Sequence, residues 1–240
     1  MSSGIYAALS GAVSKMQAVE VISSNLSNVN SNGFKKDRIS FAAALDGATQ
    51  VGKSAGINHT YIPESKTDFT QGTMETTKRD FDVAINGDGY FKVRRDTEIF
   101  YTRLGNFDRA IDGTLMTKGD NIVLNTENKP INIPDGPISI DEYGSILSAE
   151  GEVGRLAVYD PDETKLIKQG AGLFTYTGDE KAVPLNDKAQ IVQGNLERSN
   201  VKTMEETILM MTSLRGFESY QKAMKNYYSI DARADDIGSL

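Results

Sequence analysis

The sequence contains no cysteine and only one histidine. The absence of cysteine excludes disulfide bonds and thiolate metal sites, so the fold does not depend on the redox state of its compartment. The histidine, His59, has no second histidine and no carboxylate three or four residues away. Neither a metal site nor a catalytic triad is therefore indicated, and we expect no cofactor.

The chain also lacks basic blocks and long apolar runs. Its 33 acidic and 26 basic residues give a net charge of −7, and no cluster of Lys and Arg occurs. Nucleic acid is therefore not an expected partner. No run of 18 apolar residues occurs, which argues against membrane insertion. The first residues lack the basic and apolar regions of a cleaved signal peptide, so any export is expected to use another route.

Both ends of the chain carry apolar residues in steps of three and four, the spacing of one helix face. A stripe of roughly 25 to 35 residues is longer than most globular helices and is typical of a coiled coil or bundle. The alternative is an ordinary pair of core-facing helices. The predicted assembly interface consists of Ile5, Leu9, Ala12, Met16, Val19, Ile22, Leu26 and Val29, followed by Val201, Met204, Ile208, Met211, Leu214, Phe217, Tyr220, Met224, Tyr227 and Ile230.

Short strand-like segments separated by turn residues fill the middle of the chain and predict a mainly antiparallel β domain. Residues 86–89, Asn-Gly-Asp-Gly, predict a hairpin between the strand-like segments 82–85 and 90–94. Charged residues between Lys92 and Glu98 are expected at exposed edges. The predicted class is α+β, with a helical, coiled-coil-like domain formed by residues 1–33 and 193–240, a connector at 34–68 and a β domain at 69–192.

Several segments carry a specific resemblance. Residues 21–36, VISSNLSNVNSNGFKK, are followed by FTQG at 69–72, FDVAINGDGYF at 81–91 and YTRLGNF at 101–107, and later by QGNLERSNV at 193–201 and LRGFE at 214–218. Together these segments resemble the bacterial flagellar rod and hook proteins. The signature positions of this family are Asn25, Asn28, Asn30, Gly33, Phe34 and Lys35.

The resemblance implies a structural subunit of the flagellar basal-body rod that polymerises through its terminal helices into a helical tube and transmits torque from motor to hook. It implies other rod proteins, copies of the chain and the flagellar type III export apparatus as partners, and a periplasmic location without a cleaved signal peptide. The chain has no room for the outer domain of a hook protein. Its length and residues 1–8 favour a proximal-rod subunit, with a distal-rod or hook-type subunit as the alternative.

One residue departs from the family pattern. Gly216 stands within the C-terminal helix where family members commonly have Ala, at a cost of about 1 kcal/mol. The helix is therefore expected to bend or to pack closely at this position.

Two other classes of function compete with assembly. A secreted cell-wall-active enzyme would need paired carboxylates, and Glu64 with Asp68 or Asp80 with Asp82 satisfies that need on paper. Most acidic chains contain such pairs, so no enzyme activity is assigned. Membrane-surface helices prefer a cationic polar face, whereas the polar face of the predicted N-terminal helix carries essentially Lys15 as its only positive charge.

Overall fold

The chain folds into two compact units. The computed structural model describes residues 3–39, 42–45, 58–61 and 65–238. The helical unit consists of the described parts of 1–27, 37–68 and 202–240, and the β unit consists of 28–36 and 69–201. The chain therefore crosses between the units after residues 27, 36, 68 and 201.

The two long helices are α1 (Ser3–Ser27) and α2 (Thr203–Gly238). α1 ends ahead of Gly33, because residues 28–31 form a turn in which the Ser31 amide donates to the Asn28 carbonyl at 3.1 Å. Gly33 has a positive φ, +60°, which glycine adopts without strain. α2 begins at Thr203, ten residues after the predicted start of the C-terminal helical segment at residue 193. Its first turn carries Glu205 and Glu206, which the helix dipole stabilises.

The strands are short, as the spacing of turn residues predicted, and the predicted α+β class is confirmed. In chain order the strands are β1 (Asp37–Ile39), β2 (Ala42–Leu45), β3 (Asn58–Tyr61), β4 (Ser65–Thr67), β5 (Met74–Thr76), β6 (Val83–Asn86), β7 (Tyr90–Arg95), β8 (Glu98–Thr102), β9 (Phe107–Arg109), β10 (Leu115–Thr117), β11 (Ile122–Val123), β12 (Ser139–Ile140), β13 (Ser145–Ser148), β14 (Gly151–Arg155), β15 (Val158–Tyr159), β16 (Leu166–Gly170), β17 (Leu173–Tyr176), β18 (Gln190–Gln193) and β19 (Asn195–Glu197).

The largest sheet of the β unit has the strand order β16-β17-β8-β7-β11-β10-β9, and β15 also pairs with β7. Its pairings are antiparallel. A smaller sheet has the order β12-β13-β14, and two further pairs are β18 with β6 and β19 with β5. The β19–β5 pair brings the last strand of the β unit against the first strand after residue 69.

The hairpin predicted across residues 86–89 is wrong. β6 pairs with β18, where Ile85 lies opposite Ile191, whereas β7 pairs with β8, β11 and β15. Gly89 has φ +124°, and a Cβ at this position would overlap a Val158 methyl group. The turn therefore leads the chain from one sheet into another. The prediction was wrong because turn residues favour a reversal of the chain without specifying which strands pair.

The predicted connector contains two antiparallel strand pairs. β1 pairs with β4 and β2 pairs with β3, so the described parts of residues 37–67 run out and back. Arg38 forms an ion pair with Asp68 at 2.7 Å, and the Thr67 hydroxyl donates to the Asp37 carboxylate at 2.8 Å. Residues 34–36 belong to the β unit instead. Glu64 lies outside the described residues.

Two hydrophobic clusters form the core of the β unit. The larger one uses alternate residues of several strands, as expected when one face of a strand is buried. The smaller one is aromatic, with Tyr90 and Phe174 ring centroids 6.0 Å apart and Tyr101 and Tyr159 centroids 6.3 Å apart. Members of the larger cluster include Val83, Ile85, Phe91, Val93, Phe100, Phe107, Leu115, Val123, Ile131, Ile133, Ile140, Ile146 and Leu156.

Lys92 is buried, so the expectation of an exposed charged edge is wrong for this residue. It lies on β7, a central strand, and its Nζ is 5.2 Å from the ring centroid of Tyr159 and 5.9 Å from that of Tyr101. Burial lowers the pKa of Lys92. Arg95, Asp96 and Glu98, which lie at the β7–β8 turn, are exposed as expected.

Tyr101→Phe is expected to make the β unit less sensitive to alkaline pH. Tyr101 is fully buried, and its hydroxyl has no hydrogen-bond partner within the described structure. Burial raises the pKa of Tyr101 far above its usual value of 10.0. Stability that depends on a raised folded-state pKa is complete below the unfolded-state value and is lost as pH rises.

We expect Tyr101→Phe to be nearly neutral at pH 7 and to reduce the loss of unfolding free energy between pH 11 and 12 by about 1.4 kcal/mol. Lys35 and Lys92 add little slope there, because lysines with lowered pKa values are mostly neutral in both states above 10.5. Urea unfolding at both pH values measures the effect. Tyr143→Phe, at a side chain that is 62% exposed, should change the slope much less. Equal slopes for Tyr101→Phe and the parent chain would contradict the prediction.

Candidate assembly interface

α1 and α2 pack as an antiparallel pair in which glycine faces tyrosine. A Cβ at Gly4 would overlap the Tyr227 hydroxyl, and a Cβ at Gly11 would overlap the Tyr220 ring. As residue numbers rise along α1, those of the contacting residues fall along α2. Glycine weakens a helix by about 1 kcal/mol relative to alanine. In return, these two positions leave the space in which the tyrosine rings pack.

Gly216 takes part in the same contact with the roles reversed. A Cβ at Gly216 would lie 3.3 Å from Cε and 3.4 Å from Cδ of Lys15, so the lysine stem packs against the glycine. α2 continues as a helix through this residue. The close packing expected at Gly216 is therefore confirmed, and a helix break does not occur there.

The residues of this contact recur every seven positions, as in a coiled coil. Ala18 and Ser213 occupy the intervening repeats and are both buried. On α1 the series is Gly4, Gly11, Ala18 and Asn25, and on α2 it is Glu206, Ser213, Tyr220 and Tyr227. These positions of the inner face are therefore occupied by small residues, polar residues and tyrosine.

Asn25 closes the pair with a buried polar cluster, here called the Asn25 cluster. Its Nδ2 donates to the Asp37 carbonyl at 2.9 Å and to a carboxylate oxygen of Glu206 at 3.3 Å. Its Oδ1 accepts from the Asp37 amide at 3.0 Å. The asparagine thus binds the backbone of β1 as a neighbouring strand would. A buried polar residue of this kind fixes the register of two helices.

The structure separates the predicted assembly stripe into buried and exposed parts. Ala12, Ile22 and Val201 are buried. Seven others are partly buried, namely Ile5, Val19, Leu26, Val29, Phe217, Tyr220 and Met224. The remaining eight are exposed, namely Leu9, Met16, Met204, Ile208, Met211, Leu214, Tyr227 and Ile230. Much of the stripe therefore faces away from the contact between α1 and α2.

Sequence reasoning missed two features of this surface. Tyr6, Val13 and Leu209 are exposed apolar side chains that widen the outer face, and none belongs to the predicted stripe. The glycine-containing inner face was also missed, because the predicted stripe includes no glycine. The recurrence of small residues every seven positions, at Gly4, Gly11 and Ala18, was the signal that could have revealed it.

Lys35, Arg103 and Glu197 form a second buried group, here called the Glu197 cluster. Lys35 Nζ lies 2.8 Å from one oxygen of Glu197, and an Arg103 nitrogen lies 3.3 Å from the other. The Gly72 amide donates to the same carboxylate at 2.9 Å, and Lys35 also donates to the Thr70 carbonyl at 2.9 Å. One carboxylate therefore joins four segments that are distant in sequence.

The electrostatics of the Glu197 cluster depend on its burial. Burial lowers the pKa of Lys35, and the neighbouring Glu197 carboxylate opposes that shift. Arg103 also lies over the ring of Tyr90, 5.1 Å from its centroid, and the Tyr90 hydroxyl donates to Glu163 at 3.1 Å. Because all three charged side chains are almost completely buried, the cluster stabilises the unit only while each charge keeps its partner.

The remaining signature residues also have structural roles. The Gly33 amide donates to the Glu197 carbonyl at 2.8 Å, and a Cβ there would lie 2.8 Å from the Arg103 carbonyl carbon. Phe34 is buried beneath Lys168, whose Nζ lies 4.0 Å from its ring centroid. The side chain of Asn28 accepts from the Ser31 hydroxyl at 3.1 Å, and the Asn30 carbonyl accepts from Arg198 at 3.3 Å. These signature residues therefore bind residues 28–36 to the rest of the β unit.

Two of the carboxylates suggested by the sequence lie beside arginines. Asp68 is paired with Arg38, and the buried Asp82 lies 3.4 Å from Arg79. Among the described residues, no helix combines the length and hydrophobicity needed to cross a membrane.

Three family descriptions match separate parts of the chain. Residues 5–35 match the flagella basal body rod protein family, and residues 84–153 match the D1 domain of the flagellar hook protein FlgE/F/G family. Residues 192–237 match the C-terminal region of the flagellar basal body rod FlgEFG proteins. The matches cover α1 with the signature, much of the β unit, and α2.

Whole-length relatives agree with these matches. The chain is 32% identical over 236 residues to the flagellar basal-body rod protein FlgF of Caulobacter vibrioides, covering 94% of each chain. It is 30% identical to FlgG of Bacillus subtilis, covering 92% of this chain and 94% of the relative. It is 28% identical to FlgF of Salmonella typhimurium over the full length of both. The predicted resemblance is confirmed, and the chain belongs to the family of flagellar basal-body rod proteins, which are structural subunits.

Proposed function

We propose that the chain is an axial subunit whose paired terminal helices pack against neighbouring subunits. The observation that carries this proposal is the placement of large apolar side chains on the outside of a helix pair whose inner face is already filled. Leu9, Met16, Ile208 and Met211 are each about half exposed in the single chain. Covering about ten such side chains by about 1 kcal/mol each would contribute on the order of 10 kcal/mol before ordering entropy is subtracted.

The partners in this proposal are copies of the chain and other rod proteins. A repeated contact between different faces of identical subunits, when it does not close, produces a helical assembly. Subunits that share the helical unit can then follow one another in a single tube that transmits torque passively from motor to hook. We propose a proximal position in the rod, with a distal-rod or hook-type position as the alternative.

The location follows from the same proposal. A rod subunit would lie in the periplasmic part of the flagellar basal body and would reach it through the flagellar type III apparatus without a cleaved signal peptide. The absence of cysteine suits a role that does not depend on disulfides. We further propose that the chain has no catalytic activity, and measurable hydrolysis of peptidoglycan by the purified chain would contradict this.

Leu9→Glu and Met211→Glu are expected to abolish assembly without unfolding the monomer. The two side chains are 47% and 54% exposed, so a charge is tolerated in the free chain and becomes buried only in the assembly. We expect unchanged thermal unfolding of the monomer, together with at least tenfold fewer complete rods and loss of swimming in cells that carry only the variant. Rods counted in isolated basal bodies, with swimming assays, measure the effect.

Ile167→Glu is the matched control, because Ile167 is 53% exposed on β16 in the β unit. It introduces the same charge at a similar exposure away from both helices, and we expect swimming to be retained. Normal rods in cells with Leu9→Glu and Met211→Glu would overturn the proposed role of the helices.

A further inference from the structure

The segments at which the chain leaves and enters the β unit are tied together by side chains of that unit. Residues 33–36, 70–72 and 197–201 adjoin the crossings after residues 36, 68 and 201. Glu197 accepts from Lys35 and from the Gly72 amide, as described above. Three crossings that are distant in sequence thus share one buried carboxylate.

Asn200 joins the same three segments by neutral hydrogen bonds. Its Oδ1 accepts from the Lys36 amide at 2.7 Å, and its Nδ2 donates to the Thr70 carbonyl at 3.1 Å. Its own amide donates to the Phe34 carbonyl at 3.3 Å. Asn200 and Glu197 therefore hold residues 34–36 and 70–72 from the same short segment.

The helical unit repeats this arrangement on its own side of the crossings. In the Asn25 cluster, Asn25 precedes the first crossing, Asp37 follows the second and Glu206 follows the fourth. Asp68, which precedes the third crossing, is paired with Arg38 on β1. The helical unit thus binds the chain beside all four crossings and the β unit beside three of them, each by contacts within that unit.

We propose that Glu197 and Asn200 together act as a clamp, here called the β-unit clamp, that makes residues 33–36, 70–72 and 197–201 open cooperatively, while the Asn25 cluster holds the crossings on the helical side. Opening a single segment of the β-unit clamp would leave buried charges or hydrogen-bonding groups of the others without partners, which is costly. The segments therefore open together or remain closed together. Cooperative local units of this kind are detected as groups of amides with a common rate of hydrogen exchange. The inference does not depend on the proposed rod function.

The test is amide hydrogen exchange in the full chain, followed by NMR, with Asn200→Ala as the variant. The side chain of Asn200 contacts the Lys36 amide directly, whereas the amides of Gly33 and Gly72 donate to Glu197. We expect at least tenfold faster exchange at all three amides. The core amides of Val93 and Phe100 should keep their parent rates.

Asn186→Ala is the matched control. Asn186 is also partly buried in the β unit, donates to the Asp88 carbonyl at 2.8 Å and accepts from the Lys188 amide at 3.0 Å. It should leave exchange at the crossing segments unchanged. Faster exchange at Lys36 alone, or at none of the three amides, would overturn the proposal. Equal acceleration at Val93 and Phe100 would also overturn it, because the crossings would then have no opening of their own.

Discussion

Glu197→Gln is expected to lower the free energy of unfolding of the β unit by about 3–5 kcal/mol, because removing one partner of a buried ion pair leaves an uncompensated charge. Glu197 faces both Lys35 and Arg103, so the substitution leaves two buried cations without their carboxylate. Urea unfolding of the full chain, followed by circular dichroism, measures the loss.

Glu127→Gln provides the control for this experiment. Glu127 is paired with Lys129 at 2.8 Å, the same distance as in the Lys35–Glu197 pair, but both partners are exposed. Exposed pairs contribute little, so this variant should leave the free energy of unfolding almost unchanged. Similar losses for the two glutamine variants would show that burial of the Glu197 cluster is not what makes it important.

A fragment of residues 28–201 is expected to fold cooperatively, whereas a fragment of residues 69–192 should be less stable by at least about 3 kcal/mol or fail to fold. The shorter fragment follows the boundaries predicted from sequence and lacks both Lys35 and Glu197. Arg103, which is buried, would remain without a carboxylate partner. β5 would also lose β19, its paired strand. Thermal unfolding of the two fragments provides the comparison.

An intermediate fragment of residues 69–201 separates the two contributions. It keeps β19 and the Arg103–Glu197 pair but lacks Lys35, so we expect a stability between those of the other two. Equal unfolding midpoints for 69–192 and 28–201 would contradict the division of the chain into these units.

Local patterns predicted the elements of the fold better than their partners. The periodic apolar residues correctly indicated two long terminal helices, and the turn residues correctly indicated many short strands. The hairpin predicted at residues 86–89 was wrong because strand pairing depends on contacts outside the turn. β6 pairs with β18, which is far away in the sequence, and β7 pairs with β8, the strand that follows it. Lys92 was misplaced for the same reason, since its burial follows from the central position of β7.

The predicted assembly stripe and the family signature had different outcomes. The structure leaves Leu9 and Met211 exposed but buries Ile22, because one stripe drawn through all large apolar residues spans more than one face. The signature was recognised as a motif, but its physical role required the fold. The role of Lys35 is to pair with Glu197, which lies 162 residues later in the chain.

The sequence by itself determined the class of the protein: two amphipathic terminal helices, a central β region, no cysteine and a family signature at the end of the first helix. These properties are local, and each can be read within a short window. Only the tertiary structure decided that Gly4 and Gly11 receive Tyr227 and Tyr220, and that Glu197 gathers the crossing segments. Both depend on contacts between residues far apart in the chain, and spacing within one segment cannot specify its distant partner.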